Sequence, residues 1–196
     1  LRPLDIQQSM REVRPTCMGA VPRFWEKVYQ GVLDKMESGG AVQRALIQDA
    51  LNVGAEVWEK YTSQGKRPPF ALRMKYAAYD RTLLRLLRKT LGLDRAHLFP
   101  VAGATIPPEV ERFVHAVGFG MAAGYGLTET CATVSCDDPA RPVTLGSIGR
   151  PLPGVEVKIG ENNEILVRGA NVTPGYYKNA EATAASFTED GWFRTG

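Results

Sequence analysis

One seven-residue stretch, Gly124-Tyr125-Gly126-Leu127-Thr128-Glu129-Thr130, gathers the side chains best suited to chemistry. Its glycines let the backbone approach a ligand closely, and the ring of Tyr125 offers a plane on which a base can stack. The Thr128 hydroxyl can donate to a phosphate oxygen, and the Glu129 carboxylate is a hard oxygen ligand of the kind that magnesium combines with phosphates. The stretch therefore suits a magnesium-bound phosphate, although an ordinary polar turn explains it equally well when it stands alone.

The elements that must position this stretch form a strand–helix–strand unit. The apolar runs His97–Ala102 and Phe119–Ala123 predict two short buried strands, and Gly124 ends the second. Between them Pro108–Val117 predicts a helix, with a proline at its first position and acidic residues in its first turn. This order indicates a parallel α/β layer, in which ligands bind beyond the carboxyl ends of the strands.

Apolar residues at helical spacing predict three longer helices earlier in the chain. The first begins at Pro22, after a short buried strand over Thr16–Pro22, and is broken at Gly39-Gly40. The second runs from about Val42 to Tyr61, and the third from about Phe70 to Leu91. Together these helices occupy most of residues 31–91.

The last third of the sequence changes to Gly, Pro and β-branched residues. Apolar and polar residues alternate over residues 155–159 and 165–167, which predicts a hairpin with a four-residue loop. Asn179 can cap a short helix that ends near Phe187. We therefore expect an α/β subdomain over residues 1–137 and a small, mostly antiparallel β-subdomain over residues 138–196 that is truncated at its end.

Charge and composition set the limits for partners. With 44% apolar and 23% charged residues the chain can bury a core, and its net charge of +3 calls for no nucleic-acid partner. Three cysteines, an odd number, favour a reducing compartment, and no apolar run of about 18 residues is present, so we expect a cytoplasmic protein. The helices of residues 60–95 are rich in Lys and Arg, which suits a peripheral membrane contact, a contact with nucleotide phosphates or a solvated face.

The heptapeptide resembles the core signature of the adenylate-forming superfamily, Tyr-Gly-x-Thr-Glu-Thr. Val21–Val28 resembles the segment that marks the long-chain acyl-CoA synthetase branch, and residues 31–91 are similar to the helical insert of that branch. Other segments match the family in the expected order: Ala102–Glu109, Gly146–Gly154, Glu164–Gly169, Gly175–Tyr177 and Asp190–Gly196. The resemblance implies an α/β fold, part of the large N-terminal domain of an adenylate-forming enzyme.

The resemblance also implies roles for single residues. Tyr125, with Gly126 beside it, would stack on adenine, and Thr128 would contact the α-phosphate. Glu129 would hold magnesium, and Gly124 would lie near the acyl carbonyl. The adenine edge would be lined by Gly103, Ala104 and Thr105. This last loop departs from the family pattern, because Thr105 replaces a proline and Ala102 a glycine.

For the whole protein the resemblance implies a ligase with ATP, Mg²⁺, coenzyme A and a long-chain fatty acid as its cofactors and substrates. The family's phosphate loop and its mobile domain with a catalytic lysine have no match in these residues. We therefore expect the chain to need its missing flanking parts and to be inactive alone. Two alternatives stay open: a non-catalytic nucleotide-binding or scaffold module, and a fatty acyl-AMP ligase that passes the acyl group to a carrier protein.

Overall fold

The computed structural model describes residues 6–138 and 140–196. The helices are α1 Ile6–Val13, α2 Pro22–Ser38, α3 Ala41–Lys60, α4 Phe70–Tyr79, α5 Arg85–Leu91, α6 Pro108–Ala116 and α7 Ala180–Ala185. The strands are β1 Phe99–Val101, β2 Met121–Tyr125, β3 Ser135–Cys136, β4 Arg150–Pro151, β5 Val155–Ile159, β6 Ile165–Gly169 and β7 Phe193–Arg194. Within this described part, no helix has the length and apolar content needed to cross a bilayer.

The contacts divide the chain into two compact units. The first comprises the described residues up to Ala122 together with Asp138–Ser147, and the second comprises Ala123–Asp137 with Ile148–Gly196. Strand β2 therefore contributes its first two residues to one unit and its last three to the other. The division into subdomains at residue 137 stays a prediction.

The core of the first unit is built on aromatic rings. Trp25 of α2 has no exposed surface, and its indole packs edge-on against Phe99 of β1 at 5.0 Å and at a tilt against Phe119 at 5.3 Å. Helix α2 supplies this ring because its apolar residues recur every three or four positions, so that they share one face. The predicted helices Pro22–Ser38 and Val42–Tyr61 are confirmed, the second beginning at Ala41.

Helix α3 approaches α6 closely enough to require a glycine. A Cβ atom on Gly54 would lie 2.1 Å from the carbonyl oxygen of Ala116, which is inside van der Waals contact. Helix α6 is confirmed at its predicted start, and its C-terminal end is thereby fixed against α3.

The predicted helix from Phe70 to Leu91 is present but irregular. A π-helical turn over Asp80–Leu84 separates α4 from α5, and Gly92 ends α5 with φ of +76°. The guanidinium of Arg88 donates to the Asp80 carboxylate at 2.7 Å and to the carbonyl of Val117 at 2.6 Å. These bonds tie the irregular turn to the end of α6.

The predicted buried strand over Thr16–Pro22 is wrong. This segment forms only two isolated parallel bridges, Cys17 with Leu98 and Ala20 with Val101, and most of its residues are exposed. Its backbone still pairs beside β1, since Ala20 donates to the carbonyl of Pro100 at 3.0 Å. The segment is thus an edge partner of β1, and the parallel direction of the predicted layer is retained.

In the second unit, all pairings between the named strands are antiparallel. The end of β2 pairs with β3, and β3 pairs with β4. The predicted hairpin is confirmed as β5 and β6, with Val157 opposite Val167, and β7 extends it to the order β5-β6-β7. Its connection, Gly160–Glu164, is one residue longer than predicted. The predicted cap is confirmed too, since the Asn179 side chain accepts from the Ala182 amide at 3.0 Å.

Candidate functional site

Strand β2 carries the first residues of the candidate site. The sequence predicts that this strand ends at Ala123, but it continues through Tyr125, because Gly124 and Tyr125 pair with Cys136 and Ser135 of β3. The ring of Tyr125 is half-buried. Gly124 and Tyr125 are therefore held by a sheet, and the chain turns only after them.

Gly126 permits the turn after β2. A Cβ atom at this position would lie 1.7 Å from the carbonyl oxygen of Ala132, so no other residue fits without moving the backbone. The turn is closed by backbone hydrogen bonds from Ala132 to Leu127 at 3.1 Å and from Val134 to Tyr125 at 2.8 Å. The chemically suited stretch is thus a compact loop whose two ends meet.

A buried threonine organises the interior of this loop. Thr130 has no exposed surface, and its hydroxyl accepts from the Leu127 amide at 3.0 Å and donates to the Leu127 carbonyl at 3.1 Å. The amide group of Asn171 donates to the carbonyls of Thr130 and Thr133, at 3.1 Å each. The single 3-10 turn Thr128–Thr130 is thus fixed from inside and from a second loop.

The two side chains with predicted chemical roles lie on the outer side of this 3-10 turn. Thr128 is exposed and Glu129 is half-buried. The Glu129 carbonyl accepts from the Thr173 amide at 2.7 Å, and its carboxylate oxygen Oε1 accepts from the Tyr176 hydroxyl at 3.0 Å. This hydrogen bond is exposed to solvent, so the carboxylate is not enclosed in the core of the unit.

The chemistry of these donors fits a magnesium ion that is shared with a phosphate. Within the described ranges, no ion pair or hydrogen bond reaches Oε2 of Glu129, and no group of three or more acidic, His or Cys side chains could enclose a metal by itself. Magnesium is commonly bound by one or two carboxylates together with substrate phosphates and water. A single accessible carboxylate beside the Thr128 hydroxyl matches that pattern.

The other predicted residues lie on the loop that joins β1 to α6. Gly103, Ala104 and Thr105 are exposed there, and Gly103 has φ of +95°, in the left-handed region that favours glycine. These three residues belong to the first unit, whereas the residues from Gly124 to Glu129 belong to the second. The end of β2 and the turn after it thus keep Gly124, Tyr125, Gly126, Thr128 and Glu129 together in the second unit.

Sequence reasoning missed several residues of the second unit that contact this turn. Tyr176 and Asn171 bond to it from 47 and 41 positions away, so no local spacing could reveal them. Asp137 follows β3. Burial raises the pKa of its carboxyl, and a hydrogen bond with the Ala123 backbone offsets only part of this rise. The sequence indicates Gly175–Tyr177 only as a matching motif without a role.

Comparison with known proteins identifies sequence relatives. Residues 2–177 match the family described as AMP-binding enzyme. The chain is 33% identical, over 93% of its length, to the long-chain-fatty-acid–CoA ligase FadD15 of Mycobacterium bovis. It is 31% identical, over 98% of its length, to long-chain-fatty-acid–CoA ligase 1 of Saccharomyces cerevisiae. It spans 29% and 27% of the length of these two relatives.

Solved structures share the fold. A chimera of RpMatB and BxBclM with bound ATP matches all of the chain with a TM-score of 0.61 at 22% identity, over 30% of its own length. A malonyl-CoA ligase complex with methylmalonyl-CoA and AMP matches 97% of the chain with a TM-score of 0.58 at 22% identity, over 33% of its length. These matches confirm the predicted α/β fold class.

Proposed function

The chain belongs to the AMP-binding enzyme family, and on this premise we propose that its parent protein activates a long-chain fatty acid with ATP and transfers the acyl group to coenzyme A. The bacterial and yeast relatives are both named as long-chain-fatty-acid–CoA ligases. Their identity to the chain covers almost all of it, including the helical insert. This supports the fatty acyl branch over other acids.

The proposed reaction has two balanced steps. An oxygen of the fatty acid carboxylate attacks the α-phosphorus of ATP, and the bond to the β-phosphate oxygen breaks, which gives an acyl-adenylate and pyrophosphate. The thiol of coenzyme A then attacks the acyl carbon, loses its proton and releases AMP. Magnesium, when bound, would offset the phosphate charge in the first step.

The residues of this chain would bind and orient the nucleotide. Tyr125 would stack on the adenine while the Thr128 hydroxyl donates to the α-phosphate, and Glu129 would supply a carboxylate ligand to magnesium. Gly124 would leave room for the acyl carbonyl. Gly103, Ala104 and Thr105 would line the adenine edge from the loop before α6.

One observation carries this proposal. Ring, hydroxyl and carboxylate stand on the end of β2 and the 3-10 turn that follows it. The backbone of that turn is fixed by buried Thr130 and by Asn171, while Thr128 and Glu129 stay accessible. A rigid backbone with accessible polar side chains is what a preorganised phosphate site requires.

The test is adenylation by the full-length protein. Pyrophosphate exchange and hydroxamate formation are measured with saturated fatty acids of increasing chain length, and Glu129→Ala is compared with Glu189→Ala, a change at an exposed glutamate of the same unit. We expect fatty-acid-dependent exchange that Glu129→Ala lowers by about a hundredfold or more and that Glu189→Ala leaves intact. Absence of exchange with every fatty acid would overturn the substrate assignment.

The acceptor is tested separately from adenylation. We expect acyl-coenzyme A as the product, whereas transfer only to a phosphopantetheinylated carrier protein would favour an acyl-AMP ligase. Binding of ATP without any exchange would favour a non-catalytic module. That the 196 residues are inactive alone and that the protein is cytoplasmic remain predictions.

A further inference from the structure

The loop Thr173–Tyr176 grips Glu129 at two points. The Thr173 amide donates to the backbone carbonyl of Glu129 at 2.7 Å, and the Tyr176 hydroxyl donates to its carboxylate at 3.0 Å. The first bond holds the backbone of Glu129, and the second holds the carboxylate at the end of its side chain. Glutamate has several rotatable bonds, so a contact at its far end removes most of its conformational freedom.

The loop Thr173–Tyr176 is itself held against α7. The Tyr176 amide donates to the Thr183 hydroxyl at 2.9 Å, and that hydroxyl donates to the carbonyl of Asn179 at 2.8 Å. Gly175 has φ of +145°, and a Cβ atom there would lie 2.5 Å from Cγ2 of Thr183. The backbone at Gly175 and Tyr176 is therefore held close to Thr183 of α7.

We infer that Tyr176 is a positioning residue that holds Glu129 ready for a divalent cation. Its phenol is a neutral donor, so it satisfies Oε1 without removing the negative charge. Oε2 has no hydrogen bond or ion pair anywhere in the described part of the chain, and it is the oxygen left for the metal. Partners that orient a metal ligand in this way strengthen metal binding by about 10- to 100-fold. This inference rests on the proposed function.

Tyr177 provides a matched control within the same motif. It is 88% exposed, against 39% for Tyr176, and its ring lies 5.3 Å from the Lys178 ammonium. Loss of its hydroxyl changes the same chemical group one residue away. Any effect common to both tyrosines would reflect the loop in general, while an effect of Tyr176 alone reflects its bond to Glu129.

The first test measures metal retention without turnover. Manganese is titrated into the full-length protein with a non-hydrolysable ATP analogue, and bound Mn²⁺ is followed by electron paramagnetic resonance. We expect Tyr176→Phe to weaken Mn²⁺ retention about tenfold and Tyr177→Phe to retain Mn²⁺ as well as the unsubstituted protein does. In a Glu129→Gln background, Tyr176→Phe should cause no further loss. Equal retention by Tyr176→Phe and the unsubstituted protein, or no retention by the unsubstituted protein, overturns the inference.

The second test separates this inference from the proposed function. In pyrophosphate exchange, Tyr176→Phe should raise the half-saturating Mg²⁺ concentration about tenfold, while kcat at saturating Mg²⁺ stays within about twofold. A simple folding defect would lower kcat at every Mg²⁺ concentration and would overturn the positioning role. A parent without exchange would sink the proposed function, whereas an active parent whose Mg²⁺ curve is unchanged by Tyr176→Phe would sink only the inference.

Discussion

The indole of Trp58 lies flat against the imidazole of His115, with ring centroids 3.9 Å apart and 9° between their planes. His115 is only 7% exposed, and burial lowers its pKa from 6.5 to about 4, despite a backbone hydrogen bond at Phe119 that raises it. Between pH 6.5 and about pH 4, His115 is protonated in the unfolded chain but neutral in the folded chain. We therefore expect the free energy of unfolding to fall by about 3 kcal/mol as the pH drops from 6.5 to 4.

Urea unfolding at a series of pH values measures this loss. In His115→Gln the share of the pH dependence that comes from this ring should disappear, and the variant should be less stable at about pH 7. His97→Gln is the control, since His97 is exposed. An unchanged pH profile in His115→Gln would show that the ring is not kept neutral by burial.

Helix packing at Gly54 predicts a loss of stability. A Cβ in Gly54→Ala would meet the carbonyl of Ala116 at 2.1 Å, so α3 and α6 would have to separate. We expect destabilisation of about 1–3 kcal/mol in chemical unfolding. In contrast, Gly31→Ala meets nothing within 4 Å on an exposed face of α2 and should stabilise by about 0.5–1 kcal/mol. Equal effects of the two changes would contradict the close contact.

The tight turn at Gly126 predicts a loss of nucleotide binding. Because a methyl group there would overlap the Ala132 carbonyl, Gly126→Ala should displace Thr128 and Glu129 from their fixed positions. We expect at least about a hundredfold loss in kcat/KM for ATP. The control is Gly40→Ala, which has open space around its Cβ and lies in the other unit. Calorimetry with ATP should show normal affinity for Gly40→Ala only.

The π-helical turn bears on the predicted membrane contact. An extra residue in one turn rotates the remainder of the helix by about 100°, and with that rotation Leu86 falls in line with Phe70 and Met74. These side chains are 62%, 70% and 50% exposed. Exposed cations without ion partners among the described residues lie on α4, on α5 and on the π-helical turn between them: Arg73, Arg81, Arg85 and Lys89. Apolar and basic groups together suit an anionic lipid surface.

Vesicle flotation tests this surface. The full-length protein should float with vesicles containing phosphatidylglycerol and much less with pure phosphatidylcholine. The double change Phe70→Ser and Leu86→Ser should abolish flotation, whereas Val42→Ser, at a 75% exposed valine of α3, should not. If the double variant floats like the parent, α4 and α5 are a solvated face.

Local patterns predicted most helices, and long-range contacts decided the rest. The helices at Pro22 and Pro108 follow from apolar spacing and from proline at the first helical position. The apolar composition of Thr16–Pro22 suggested burial, yet its exposure depends on which element covers it, and composition carries no such information. At the π-helical turn, Arg88 bonds to Asp80 and also to Val117, which lies 29 residues after Arg88, so local spacing does not reveal this link.

The candidate site was predictable to the same extent. Tyr125, Thr128 and Glu129 are neighbours in the sequence, and the structure places Tyr125 at the end of β2 and the other two on the 3-10 turn that follows. The family resemblance placed Gly175–Tyr177 without giving it a role, because the bond from Tyr176 to Glu129 depends on tertiary folding. Short spacings reveal which groups can act, while their supporting contacts appear only in three dimensions.

The side chain of Asn171 has a chemical vulnerability of its own. Its NH₂ group faces two carbonyl oxygens, on Thr130 and Thr133, so only an amide suits this position. Spontaneous deamidation would convert it to isoaspartate or aspartate, and either product would carry a negative carboxylate where the NH₂ group now donates to the two carbonyl oxygens. This slow chemical change at a single side chain, 41 positions after Thr130 in the sequence, would then push apart the loop that carries Glu129.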